Sequence, residues 1–517
     1  MQTDYNIQGI KEGLVESLAL AQTPLTRGIE EAIRKSVTKL DEPMQLAIIG
    51  KISSSKSTLV NAILARNELM STGQKEVTYN VGWLKYGKPD SDIILHYKDG
   101  RSPARKSRKE FEALSADARH HEIDNISYIE LFDDSEILKE INIIDTPGLD
   151  AKREKDSRNT LDFISKVRPD AVVMLYTHAV AENVLDIVAQ FNAGTSLSPL
   201  NAIGVLSKID VLWQETIPRD KKALHIGKKM VENRKKKDGM LSKILFELYP
   251  VSALLFLAAT TTEERDIQAI KRSFEADSKA FLVSLNSMPK YLSATENLMT
   301  ESERRRISDK MGLYGIWLIA QRIKNGEPTD LESVKAMFYE ESGAAEFKKS
   351  LYNHFGSRAK LIKIESIYQN INQEIKKAKG KVSTPAEGTL LSNIEQRISD
   401  VFSSLVHEHK EYNLLNRLYS GRLQLDEETA QEFKNICGEN GNSAPEMLGM
   451  PPGTKMTALL NTALEREKAW RREVALEPDP EEREWMNVIL KSYSLLRQKI
   501  SKAIYQYEQA LSFLKNE

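Results

Sequence analysis

Leu46-Ala47-Ile48-Ile49-Gly50-Lys51-Ile52-Ser53-Ser54-Ser55-Lys56-Ser57-Thr58-Leu59-Val60 is the stretch that decides the fold of this 517-residue chain. Leu46 to Ile49 form an unbroken apolar run, the pattern of a strand buried on both faces. Leu59, Val60, Ile63 and Leu64 recur at the spacing of a helix's inner face. The turn between them departs by one residue from G-x-x-x-x-G-K-[ST], a loop whose backbone N–H groups wrap a row of phosphates. In that reading Gly50, Ser53, Ser54, Ser55, Lys56, Ser57 and Thr58 line the cradle. Lys56 reaches the outer phosphates, Ser57 offers its hydroxyl to Mg²⁺, and the helix N-terminus adds the positive end of a dipole. The departure is Ser55, which stands where the second glycine belongs. A Cβ there crowds the phosphates and strains the turn if its φ is unusual. A Ser-rich strand-to-helix turn with no ligand is the plain alternative for this stretch taken alone.

Three further strand ends follow in order. Ile141 to Ile144 run into Asp145-Thr146-Pro147-Gly148. An acidic residue in that place holds Mg²⁺ through water, and Gly148 frees a backbone N–H for a terminal phosphate. Ala202 to Leu206 run into Ser207-Lys208-Ile209-Asp210. The Asp210 carboxylate matches the paired N–H donors on guanine's N1–N2 edge, which adenine lacks, and the Lys208 stem covers the flat face of a base. Tyr249-Pro250-Val251-Ser252-Ala253 makes a fourth strand end, whose Ser252 and Ala253 backbone would meet the guanine carbonyl. Each element alone has a bland reading as a turn. Four in this order point to a guanine-nucleotide domain.

At this point the chain resembles the bacterial dynamin-like GTPases, closest to the isoniazid-inducible IniC-type branch. The likeness runs through Gly50 to Leu64, Thr72 to Trp83, Tyr97 to Gly100, Asp145 to Gly148 and Ser198 to Ser207. It continues in Met311-Gly312-Leu313-Tyr314-Gly315, Ser342-Gly343, Phe355 to Ala359 and Ala469-Trp470-Arg471. The resemblance implies that Thr78 is a switch threonine closing over Mg²⁺ and the terminal phosphate. From the residues alone, Thr78 is a hydroxyl in a polar segment before a strand. The resemblance also implies a polar loop side chain beside the attacking water, where this chain has Ile52. Ser53 keeps the neighbouring hydroxyl, so Ser53, Lys56 and Thr78 are the candidate catalytic residues. With no evident water-activating group, intrinsic hydrolysis is expected to be slow.

Composition bounds the rest. A length of 517 residues calls for two or three domains, and a formal net charge of −1 offers no overall field for nucleic acid. The single cysteine, Cys437, excludes an internal disulfide framework and fits a reducing cytosol. The start of the chain has no basic-then-apolar leader, and no apolar run approaches the length of a membrane span, so a membrane role is expected to be peripheral.

Residues 5–40 read as two helices, with Ile7, Ile10, Leu14 and Leu18 on one stripe and Leu25, Ile29, Ile33 and Val37 on the next. Between Thr78 and Asp145, two or three antiparallel-looking strands are expected around 81–86, 92–98 and 126–132. A basic loop (Arg101, Arg105, Lys106, Arg108, Lys109) sits among them. Beyond 261 the pattern is helical, and Val488, Tyr493, Leu496, Ile500, Ile504 and Tyr507 recur along the last helix. The expected architecture is an α/β P-loop GTPase domain with a doubly wound sheet plus an elongated all-α helical bundle. Residues 1–43 are N-terminal helices packing with the stalk, 44–260 the dynamin-type domain, and 261–517 the bundle, with a candidate tip loop near 438–453.

The cofactors implied are GTP and Mg²⁺, with Ser57, Thr78 and Asp145 as the metal-side residues. Gly50, Ser53 to Thr58, Asp145, Gly148, Ser207, Lys208, Asp210, Ser252 and Ala253 are the nucleotide-side residues. The partners implied are guanine nucleotide, a second copy or a second dynamin-like protein, and an anionic membrane touched from its cytoplasmic face. The alternative is a degenerate, weakly hydrolysing member of a hetero-pair.

Overall fold

The computed structural model describes residues 7–51, 53–66, 81–89, 92–111, 125–147, 167–177, 200–215, 222–237, 245–294, 298–402, 406–419, 421–441 and 443–515. By compactness the chain divides into two units, one of residues 43–197 and 201–351 and the other mainly of 1–42 and 352–517.

The first unit is built on one sheet. Its strands among the described residues are β1 (Met44–Gly50), β2 (Val81–Tyr86), β3 (Ile93–Tyr97), β4 (Ala104–Lys106), β5 (Ile126–Asp133), β6 (Ile141–Asp145), β7 (Ala171–Tyr176), β8 (Ala202–Ser207) and β9 (Leu248–Val251). They lie in the order β4-β3-β5-β2-β6-β1-β7-β8-β9. β6, β1, β7, β8 and β9 are parallel, with Ile48 opposite Asp145, Gly50 opposite Leu175 and Ser207 opposite Val251. Strands covered on both faces carry continuous apolar runs, and every residue of β1, β6 and β8 is buried. β1 lies between β6 and β7, so the crevice at its carboxyl end is a topological switch point, where open α/β sheets bind ligands.

The expected strands near 81–86, 92–98 and 126–132 are present, with one difference in direction. β3 is antiparallel to β5 and β2 antiparallel to β6, but β2 and β5 are parallel, with Val81 opposite Tyr128. Alternation of apolar residues fixes which face a strand buries, not which way it runs. The basic stretch is also partly strand: Arg105 and Lys106 lie on β4, at the sheet's edge. Charge on an edge strand discourages unwanted pairing.

Helices close the first unit. Helix Lys56–Leu64 packs on helix Ala253–Thr261, which is apolar nearly all round and also touches Glu301–Lys324 and Leu331–Glu341. The last three helices share one core, which runs from Trp213 and Ala223 through Leu255, Ile267 and Tyr314 to Phe338. Thr300 and Glu303 form a capping box at the start of Glu301–Lys324, and Gly312 (φ 66°, ψ 175°) interrupts that helix. Only glycine adopts that conformation without strain, so the kink has a local cause.

In the second unit, Ile7–Ser17 and Arg27–Lys39 pack with Ser357–Lys379 and Pro385–Phe402 around Ile10, Leu14, Ile29, Ile33, Ile371 and Ile394. Met456–Leu476 and Pro480–Lys515 form an antiparallel pair, and Arg483 closes its turn by donating to the Glu477 carbonyl at 2.9 Å. Along the last helix Val488, Tyr493, Leu496 and Ile500 are buried, but Tyr507 is 57% exposed. The stripe therefore outlasts the surface it packs against. In the stretch 438–453, Leu448 is buried and Met447 and Met450 half-buried beside a short helix capped by Ser443. No helix among the described residues is long and apolar enough to cross a membrane.

Candidate functional site

Gly50 closes β1 where the chain has no room for a side chain. A Cβ there would stand 2.7 Å from Ser54 Oγ and 2.8 Å from the Leu175 carbonyl oxygen. The turn that follows carries two left-handed residues, Ser53 (φ 60°) and Ser55 (φ 67°, ψ 31°), and Ser55 is the N-cap of helix Lys56–Leu64. The position that lacks its glycine thus adopts the glycine conformation and holds it at the expense of strain. Lys208 (φ 58°), at the end of β8, is left-handed too. Strain of this kind gathers where a backbone is held for a purpose other than stability.

Lys56 is buried, and its ammonium donates to the carbonyls of Gly50 at 3.1 Å and Lys51 at 3.0 Å. Burial lowers its pKa to about 8, partly offset by the charge of Asp145. Ser57 donates to Asp145 Oδ2 at 2.7 Å. Burial raises the Asp145 carboxyl to about 6, against the opposing pull of Lys56 and of the Ser57 hydroxyl. Asp145 Oδ1 and Ser54 Oγ are buried and accept no hydrogen bond. Thr146, which sequence reasoning passed over, donates to the Ile48 carbonyl at 2.8 Å and ties the end of β6 to β1.

These groups fit a phosphate-bound divalent ion. Mg²⁺ takes hard oxygen ligands and keeps several waters. The Ser57 hydroxyl and the unpaired Asp145 oxygen are such donors at the mouth of a helix N-terminus, with a buried ammonium beside them. Thr78, Gly148 and Ile52 lie outside the described residues.

Two strands away, the other end of the site forms from β8 and β9. Ser207 is buried and donates to the Tyr176 carbonyl at 3.0 Å, pinning the end of β8 to β7. Asp210 opens helix Ile209–Glu215, half-buried, and accepts from Ser252 Oγ at 2.6 Å. Burial pushes its carboxyl above the usual range, while the Ser252 hydroxyl, its own backbone N–H and Lys208 act the other way. Ser252 also caps helix Ala253–Thr261 by accepting from the Leu255 N–H at 3.2 Å. Its backbone N–H is already given to the Ser342 carbonyl at 2.9 Å, so of the expected Ser252–Ala253 pair only Ala253 remains to meet a base carbonyl. The sequence held no sign of that bond, since a backbone acceptor leaves no trace in residue type.

Residues 46–209 match the dynamin family. Over 92% of its length the chain is 25% identical to the isoniazid-induced protein IniC of Mycobacterium tuberculosis, and it covers 94% of that protein. It is 26% identical to dynamin-like protein 2 of Campylobacter jejuni over 74% of this chain and 64% of that one. Among solved structures it matches, at 15% identity and a TM-score of 0.35, a chain of an oligomerised bacterial dynamin pair, described as providing a mechanism for the long-range sensing and tethering of membranes. That match spans 100% of this chain and 94% of the other.

Proposed function

We propose, for a chain whose residues 46–209 form a domain of the dynamin family, that it binds GTP with Mg²⁺, hydrolyses it to GDP and phosphate, and couples nucleotide state to dimerisation and peripheral membrane remodelling. One observation carries the reading: Ser57 bonds one oxygen of Asp145 while the other is buried and unpaired, with the Lys56 ammonium beside them. Burying a carboxylate without a partner is costly, so the arrangement favours a ligand that satisfies it.

In this reading the loop from Gly50 to Ser57 holds the phosphates, and Lys56 swings from the Gly50 and Lys51 carbonyls to the outer ones. Ser57 and Asp145, with Thr78 as the resemblance implies, would hold Mg²⁺, which would neutralise charge on the phosphates. Asp210 accepts from the guanine edge, Lys208 covers the ring, and Ala253 meets the carbonyl. Phosphoryl transfer is mostly positioning and charge stabilisation. Ile52 stands where a polar side chain would sit beside the attacking water and no other water-activating group is evident, although Ser53 keeps the neighbouring hydroxyl, so hydrolysis by the chain alone is expected to be slow.

Calorimetric titration with GTP, GDP and ATP at millimolar Mg²⁺, on wild type and Lys56→Ala, tests the reading. Saturable GTP and GDP binding, weak ATP binding and loss of both in the variant are expected. A wild type indifferent to guanine nucleotides defeats it. A second reading, favoured by Ile52 and the strained Ser55, is a weakly hydrolysing partner in a hetero-pair. Binding without phosphate release, restored to turnover by a second dynamin-like protein, separates the two. Co-sedimentation with anionic vesicles, with and without GTP, tests the membrane step, and no pelleting in either state removes it.

A further inference from the structure

We infer that the Ser342–Gly343 turn, backed by Tyr314 and Glu341, positions the base-recognition loops, so that preference for guanine depends on helices far downstream of the sheet. The inference rests on the site reading proposed above. None of the four residues lies in the segment matched to the dynamin family.

Ser252 is the joint. Its backbone N–H donates to the Ser342 carbonyl at 2.9 Å, and its hydroxyl donates to Asp210 at 2.6 Å while accepting from Leu255 at 3.2 Å. A shift of Ser342 therefore moves Ser252, and with it the carboxylate that would read a base. The turn is held in place rather than merely adjacent. Ser342 Oγ donates to the Tyr339 carbonyl at 2.7 Å and accepts from the Ala344 N–H at 3.1 Å. Gly343 is left-handed (φ 73°), and a Cβ there would stand 2.1 Å from the Pro250 carbonyl oxygen, two residues before Ser252. Only glycine permits that approach.

A second strut reaches the Asp210 side. Tyr314, buried, accepts from the Ala223 N–H at 3.0 Å and donates to Glu341 at 3.4 Å, and Glu341 is ion-paired with Lys222. The ring of Tyr314 lies 5.7 Å from that of Trp213, on the helix that Asp210 opens. Burial above all raises the Tyr314 phenol, and the charge of Glu341 adds to it, so Tyr314 stays a neutral hydroxyl that can make both bonds. Both base loops are thus fastened to one short run, residues 341–343. From there helix Ala344–Ser350 carries the chain to the end of this unit at 351. A base that pulls on Asp210 or Ser252 is felt at that turn, since coupling between two sites is reciprocal.

The experiment compares GTP, ATP and inorganic tripolyphosphate by calorimetry at millimolar Mg²⁺ in wild type, Gly343→Ala and Ser342→Ala, each checked for folding by circular dichroism. Gly343→Ala is expected to weaken GTP about tenfold, with ATP and tripolyphosphate unchanged, because the hydrogen bonds of Lys56 and Ser57 run to Gly50, Lys51 and Asp145 and not to the turn. Ser342→Ala loosens the turn without a clash and is expected to cost GTP about threefold on the same pattern. It decides the matter if Gly343→Ala does not fold. Amide exchange at Ser252 should quicken in either variant without nucleotide. A wild type that prefers GTP, with folded variants that keep its GTP-to-ATP ratio, overturns this inference alone. A wild type without guanine preference overturns the site reading, and this one with it.

Discussion

The two ends of the candidate site are made by different means. At the phosphate end, Gly50, Lys56, Ser57 and Asp145 sit on β1, β6 and the helix between them, and their contacts run within or between adjacent strand ends. At the base end, Asp210 and Ser252 also close strands, yet they are steadied by Tyr314, Glu341 and Ser342 from helices about a hundred residues on. The first end joins two strand ends 88 residues apart in sequence, each of which carries its own telling side chains. The second end adds direct hydrogen-bonded struts from helices beyond the sheet, so in the reading proposed above its selectivity is exposed to adjustment from them.

The largest effect expected is at the local end. Lys56→Ala should lower affinity for GTP, GDP and ATP alike by about a hundredfold, since a charge-assisted contact to phosphate is lost whatever the base. Calorimetry on the three nucleotides reads it. A variant that lost GTP but kept ATP would break the division of labour between the two ends. Next in size, Asp210→Asn should weaken GTP about thirtyfold and leave ATP alone, because an amide cannot accept both donors of the guanine edge. It should also gain xanthosine triphosphate, whose 2-carbonyl accepts from the new amide.

The phosphate end pairs a buried carboxyl with a buried ammonium. Asp145 has a folded pKa of about 6 against 3.8 unfolded, so its stabilising contribution is full below 3.8 and is lost as pH rises through 6. Lys56 has a folded pKa of about 8 against 10.5, so its contribution is full above 10.5 and is lost as pH falls through 8. Between about 6 and 8 both groups are charged and buried, so this pair costs the nucleotide-free protein most in that range. A Lys56→Met/Asp145→Asn protein should therefore melt several degrees above wild type near pH 7, by roughly 2 to 4 °C per kcal/mol. The gain should shrink toward pH 4 and pH 10. A pH-independent difference would mean that the pair's charges have no part in the strain of this end.

Much of the architecture was legible because burial on two faces writes itself into residue type. The apolar runs at 46–49, 141–144, 171–176 and 202–206 all became parallel strands. Ile10, Leu14, Ile29 and Ile33, read from helical spacing, are all buried. Direction was harder, as β2 and β5 show, because a period of two is the same in either sense. Helical periodicity likewise shows that a face is buried without showing against what, so the packing of Leu331–Glu341 on Ala253–Thr261 had no mark in either segment. At the site, side chains with one common use (Lys56, Ser57, Asp145, Asp210) stood out. Ser342 contributes a backbone carbonyl and Tyr314 a hydroxyl on an apolar face; both lie in stretches that carry the resemblance, but neither residue type announces the bond it makes.

The smallest effect isolates strain from chemistry. Ser55 keeps a left-handed backbone without being glycine, at a cost of about 1 kcal/mol. Ser55→Gly relieves that and also frees the unfolded chain, so the two terms oppose and the net gain should be below about 1 kcal/mol. Melting of the nucleotide-free protein should rise by no more than about 3 °C. If the serine Cβ also crowds bound phosphates, GTP affinity should rise by more than melting alone suggests, and ATP and tripolyphosphate should gain by the same factor. A gain confined to GTP would place the crowding at the base, which no contact of Ser55 supports. Unchanged affinity with raised melting would mean that the loop accepts its serine at rest and opens far enough, once phosphates arrive, for the side chain to stand clear.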